Sequence, residues 1–169
     1  MKEKPKSFST PMIRAILNGS KTQFRLVGKL CPYRVGDRLW CKETCWYPAE
    51  FDHSVVYYKA DWDNDKPAEM FNHNGIWQPS TNMPRWASRL TLEVTEVRAQ
   101  RVQATSHEDA IAEGAEYMPP ATLREQRLSV PQIVFAGYWD STYAKRGYPW
   151  ESNPWTFPIT FKVVKEAVL

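Results

Sequence analysis

Apolar positions recur at a spacing near four in some stretches of the chain and alternate strictly in others, and this change of period marks out its elements. Met12, Ile13, Ile16 and Leu17 share one helical face and predict a helix over residues 10–18. Ser9 and Thr10 are good N-cap residues. Pro11 suits the first turn, where its missing N–H costs nothing, and Asn18-Gly19 supplies the stop. Residues 21–27 read as a strand with Phe24 and Leu26 on one face and Gln23 and Arg25 on the other. After turns at 28–32 and 35–37, residues 38–46 alternate again. Leu39, Cys41, Glu43 and Cys45 fall on one side, and Arg38, Trp40, Lys42 and Thr44 on the other.

Further on, residues 55–59 form a short β-branched and aromatic strand. Residues 60–84 are rich in Asp, Asn, Pro and Gly and read as a long surface excursion. A clear strand follows at 90–97, with Leu90, Leu92 and Val94 alternating against Thr91, Glu93 and Thr95, and its continuation carries Arg98 and Arg101. Ser106, with Asp109 three residues on, opens a short helix that Gly114 closes. A Pro-Pro loop at 117–121, a helix at 122–128 and a longer helix after Pro131 come next, the last placing Ile133, Phe135, Ala136 and Trp139 toward the core. Residues 155–164 form a final strand, in which Pro158 marks a bulge or an edge. Residues 1–8 read as a loose arm or a short edge strand. Strands outnumber helices, and the helices are interspersed. The expected fold class is therefore α+β, a small, mostly antiparallel barrel with helices packed at its ends.

Composition narrows the picture only moderately. A chain of 169 residues with 43% hydrophobic and 24% charged content fits one domain with a real core, here with an inserted excursion at about 60–84. The net charge of +3 permits a local basic patch without marking the whole chain as a nucleic-acid binder. The three cysteines, Cys31, Cys41 and Cys45, are odd in number in a chain too large to need a disulfide framework. His53, His73 and His107 are scattered and supply no metal-ligand set, so neither metal nor cofactor is expected. The segment MKEKPKSFS lacks the apolar core of a signal peptide. No run approaches the roughly 18 apolar residues of a membrane span, and the chain reads as cytoplasmic.

Lys21, two residues past the helix stop, is the residue around which function is read. Its plain role is a helix-capping cation facing the negative end of the helix dipole. Its context suggests more. The runs ILNGSKTQFR, RVGDRLW, LTLEVTEV, EDAIAEG and WDS with NPWTFPITFKV together resemble the ASCH family of the PUA-like superfamily, most of all its small prophage-encoded members. The likeness covers about residues 8–46 and 84–163. It implies a β-barrel with a cleft that faces nucleic acid or a nucleoside. Bacterial relatives include an amidohydrolase that removes the acetyl group from N4-acetylcytidine with a Lys, a Thr and a Glu. By motif, the Lys falls on Lys21 and the Glu on Glu113, while the Thr position holds Phe24. The broader pattern Gly-x-Lys-x-x-Glu-x-Arg departs at two places, with Phe24 for its Glu and Leu26 for its Arg.

These departures have chemical consequences. Amide hydrolysis needs a nucleophile or activated water, a base and a group to stabilise the oxyanion, and Phe24 supplies none of them. Three readings follow. In the first, a cleft around Lys21 binds RNA, another nucleic acid or a modified or flipped base. Lys21, Phe24, Arg25, Trp40, Arg85, Trp86 and Glu113 are the candidate contacts, with aromatics stacking on bases and cations holding phosphates. For the aromatics the plain alternative is core packing; for the arginines it is a solvated or ion-paired side chain. In the second, the chain is a nucleoside amidohydrolase with Lys21 and Glu113 as catalytic residues. In the third, it is a phage-derived protein-interaction domain that uses the 60–84 excursion. The first is favoured, because Phe24 serves stacking better than catalysis.

Overall fold

The computed structural model describes residues 3–48, 55–62, 67, 70, 75–115 and 128–166. The expected loop at 117–121, nearly all of the expected helix at 122–128 and parts of the 60–84 excursion lie outside the described residues. In chain order the elements are β1 (Glu3–Ser7), α1 (Thr10–Leu17), β2 (Gln23–Val27), β3 (Arg38–Lys42), β4 (Cys45–Trp46), β5 (Tyr57–Tyr58), β6 (Leu90–Val97), β7 (Gln100–Arg101), α2 (His107–Ala112), α3 (Val130–Tyr143) and β8 (Trp155–Glu166). The fold is α+β with a mostly antiparallel sheet; the β1–β3 pair is parallel. No described helix is long and apolar enough to cross a membrane.

The chain forms two compact units, residues 1–14, 37–93 and 163–169 in the first and residues 15–36 and 94–162 in the second. In the first, β1 runs beside β3 in register Glu3↔Arg38, and β3 pairs with the start of β6 in register Arg38↔Glu93. The alternation read from residues 38–46 is real but interrupted. Leu39, Cys41, Glu43 and Cys45 are all buried, yet the strand breaks at Glu43 and Thr44. At the break sits Glu43, a carboxylate 1% exposed. Arg89 meets it with two hydrogen bonds of 3.0 and 3.1 Å, and the same guanidinium grips Asp61 at 2.8 and 2.9 Å. Arg89 also lies 4.0 Å from the centre of the Tyr58 ring. Burial pushes the Glu43 carboxyl up against the pull of Arg89, and pushes the Cys45 thiol up to about 11. Such a thiol is inert at neutral pH. Cys45, Tyr58, Met83 and Ala87 form an apolar cluster beside this network.

In the second unit β2, the end of β6, β7 and β8 form the sheet. β8 takes β2 on one side and β6 followed by β7 on the other. Pro158 therefore sits in an interior strand, which rules out the edge of the two alternatives expected for it, a bulge or an edge. Phe161 N–H donates to Thr22 O, so odd-numbered N–H groups of β8 face β2 and the donor-less nitrogen of Pro158 faces the other way. Opposite it, β6 has ended at Val97 and β7 has not begun; Arg98 N–H donates to Pro158 O there. The neighbouring strand is broken where proline lacks its bond. Phe24, Ile159 and Phe161 bury one face of this sheet, and Phe135, Ala136 and Trp139 of α3 are buried as well. Ser129 and Gln132 close a capping box at the start of α3.

Candidate functional site

The site is built in the second unit from the return of the chain after α1. Gly19, at φ 82°, closes that helix in the left-handed region. Lys21 N–H then donates to Ala15 O at 2.9 Å, and Thr22 N–H to Ala112 O at 2.9 Å, which ties this return to α2. The Lys21 ammonium is turned inward and is 4% exposed. It donates to Gln23 O at 2.7 Å and to Glu113 O at 2.6 Å.

Glu113 comes from the other side. Ser106 Oγ accepts from Asp109 N–H at 3.0 Å and starts α2, and Glu113 is its C-cap. Gly114 follows at φ 85°; a Cβ there would stand 3.5 Å from Lys21 Cβ, so the turn packs directly on the lysine stem. The Glu113 side chain, itself buried, uses Oε1 to accept from Gln23 Nε2 at 3.2 Å and Arg25 Nε at 3.1 Å. Its Oε2 lies 3.7 Å from Lys21 Nζ, close enough for an ion pair but too far for a direct hydrogen bond.

Strand alternation places Gln23 and Arg25 on the same face of β2. The Arg25 guanidinium stacks 5.3 Å from the Phe135 ring and stands 3.9 Å from Asp109. Arg98 extends the network outward, donating to Gln23 Oε1 at 2.9 Å and to Asp109 Oδ1 at 2.6 Å. Three cations and two carboxylates are thus held together, with Lys21, Arg25 and Glu113 innermost and Arg98 partly open to solvent. Burial is the largest single influence on the Asp109 carboxyl and pushes it up, but the hydrogen bonds from Arg98 and Gln100 and the charges of Arg98 and Arg25 together hold the group below its ordinary 3.8. Burial raises the phenols of Tyr138 and Tyr143, and the charge of Glu113 raises them further.

Lys21, Arg25 and Glu113 are therefore brought together. Phe24 is not part of the group. It projects from the opposite face of β2, is 4% exposed, and packs edge-on to Tyr33 and against Phe161. Phe24 is thus a core side chain turned away from the carboxylate. Thr22, the adjacent hydroxyl, is exposed. Trp40, Arg85 and Trp86 belong to the first unit. There the Arg85 guanidinium and the Lys42 ammonium stand 5.7 and 5.6 Å from the Trp40 ring, while Arg85 also holds Glu3 at 2.7 Å. Trp86, 43% exposed, meets Tyr47 edge-on at 4.8 Å. Gln23, Arg98 and Asp109 are the participants that sequence reasoning did not select. For Gln23 the signal was present, since alternation puts it beside Arg25.

No family model matches the sequence, and no curated protein is significantly similar to it. Solved structures do match in fold. An ASCH domain from Lactobacillus crispatus JV V101 superposes with a TM-score of 0.53 at 14% identity, over 98% of this chain and 81% of that one. A protein of Enterococcus faecalis V583, of family model DUF984, gives a TM-score of 0.49 at 11% identity over 92% and 68% of the two chains. The likeness to the first establishes the class: this chain has the fold of an ASCH domain.

Proposed function

We propose that the chain is a nucleic-acid-binding module of ASCH type, whose recognition centre is the Lys21–Arg25–Glu113 group. The observation that carries this reading is the state of Glu113. Its Oε1 is committed to Gln23 and Arg25, while its Oε2 faces Lys21 at 3.7 Å and keeps acceptor capacity. A buried carboxylate held in place by cations is costly as a purely structural device, since an apolar group of the same volume often serves stability better. As a recognition device it is well suited, because carboxylates accept from the exocyclic amino group of a base such as cytosine. A base brought out of its stack and read along its Watson–Crick edge is the ligand that suits this chemistry, and Arg98 at the outer end suits a phosphate.

The test is calorimetric titration with a panel of nucleosides and their modified forms. Cytidine should bind more tightly than uridine, and Glu113→Gln should cut that preference by about tenfold, the discrimination typical of one well-placed base contact. Equal binding of both bases by the unaltered protein would refute the assignment. The buried Lys21–Glu113 pair also sustains a hydrolytic reading, in which N4-acetylcytidine is cleaved. Phe24, turned into the core, supplies neither nucleophile, base nor oxyanion donor to such a reaction. Incubation with N4-acetylcytidine and chromatography for cytidine, with Lys21→Ala as control, separates binding from turnover.

A further inference from the structure

On the opposite face of the same sheet from Gln23 and Arg25, β8 begins with Trp155, an aromatic 53% exposed. Arg101 of β7 is its direct cross-strand partner, and the guanidinium lies 4.6 Å from the ring centre. This stack is not a passing contact of a loose arginine. Arg101 Nη1 donates to Asn153 O at 3.1 Å, and Asn153 is held at φ 44° with its side-chain oxygen accepting from Gln103 N–H at 3.0 Å. Val102 N–H donates to Pro154 O at 3.0 Å, closing the turn from the other side. The ring and its cation are therefore set in place before any ligand arrives.

Beside the ring lies a hollow of about 430 Å³ lined by Gly28, Lys29, Ala99, Trp155 and Phe157. Its volume falls within the roughly 300–1,000 Å³ of small-ligand sites. Gly28, at φ 154°, has no Cβ and Ala99 has only a methyl, so two small residues keep the hollow open between Trp155 and half-buried Phe157. Lys29 is exposed on the lining, which includes no carboxylate among the described residues. Leaving half an indole in water forgoes hydrophobic stabilisation.

A flat apolar wall, a cation stacked on it and a second cation on the lining, with no acidic group among them, match the chemistry of one ligand class. Unpaired bases stack on aromatic rings whatever their sequence, and cations beside the ring take the flanking phosphates. We infer that Trp155, Arg101 and Lys29 form a second contact, a stacking subsite for one unpaired base of a single-stranded nucleic acid. The subsite lies on the other face of β8 from the Glu113 group and does not depend on it, although both would serve one strand.

The experiment is fluorescence anisotropy with labelled single strands of four to sixteen nucleotides, as ribo- and deoxyribo-oligomers, and a duplex control. Trp155→Ala, an exposed position whose loss leaves the core intact, should weaken single-strand binding about tenfold, within the range of one base–aromatic stack, while Trp155→Phe keeps most of it. Lys29→Ala should lower the salt slope by about one phosphate contact. A preference for ribo- over deoxyribo-oligomers identifies the strand without changing the subsite. Unchanged affinity of Trp155→Ala overturns the inference, as does an equal loss on single strand and duplex. If Trp155→Ala is unaffected while Lys21→Met loses binding, this subsite fails and the Glu113 reading stands; the reverse result removes that reading and leaves the subsite.

Discussion

At the scale of single residues, the site is a set of buried and half-buried charges held against one another. Asp109 shows this most directly. Its folded carboxyl titrates below the ordinary 3.8 because Arg98, with Gln100 and the charge of Arg25, holds the ionised form against the larger single effect of burial. A group depressed in this way contributes stability above its unfolded value and loses it as the pH falls through the folded one. Asp109→Asn should therefore lower stability by about 1 kcal/mol at pH 7, the scale of a partly exposed ion pair. The gap between the two proteins should close as the pH drops below 3.8. Urea denaturation at a series of pH values measures it; a gap that stays constant or widens under acid would show that Arg98 does not stabilise the carboxylate. Legibility at this scale was uneven. Motif order singles out Lys21 and Glu113, which the fold brings together, whereas Phe24, expected as a stacking platform, lies in the core on the face that alternation places opposite Arg25. What the sequence hid was which face of β2 is the core. Gln23, Phe24 and Arg25 are all buried, so neither face is marked by exposure.

At the scale of elements, the position of Glu113 is set by a helix of six residues. A helix that short has little intrinsic stability and relies on its ends. Its N-cap is Ser106, and its C-terminal turn is Gly114 resting on the Lys21 stem. Ser106→Ala should cost about 1 kcal/mol, the usual loss for a cap, and should also weaken nucleoside binding by displacing the carboxylate. Thermal unfolding and titration on the same variant check both; a stability loss with unaltered binding would detach Glu113 from the site. Elements with strong period and clear punctuation were legible: α1 between Ser9 and Gly19, β6 over residues 90–97, α2 between Ser106 and Gly114. Those governed by partners far along the chain were not. The partner of buried Glu43 is Arg89, forty-six positions away, and the role of Pro158 depends on where β6 stops. Nothing local to either stretch carries that information.

At the scale of the whole molecule, the fold is that of an ASCH domain, and the sequence blocks already resembled that family in order and spacing. The fold does not assign the ligand, since one fold hosts many unrelated functions. A net charge of +3 leaves no broad electropositive field, so any affinity for nucleic acid must come from few, well-placed cations. The measurement that tests this most directly is the anisotropy of a labelled single-stranded RNA across a salt series, for the unaltered protein and for Lys21→Met, with folding of the variant verified by circular dichroism. The account predicts binding that weakens as salt rises, with a shallow slope set by two or three phosphate contacts at about 0.7 per contact. It also predicts at least a tenfold loss in Lys21→Met. Binding that ignores both salt and the loss of the Lys21 ammonium would contradict it.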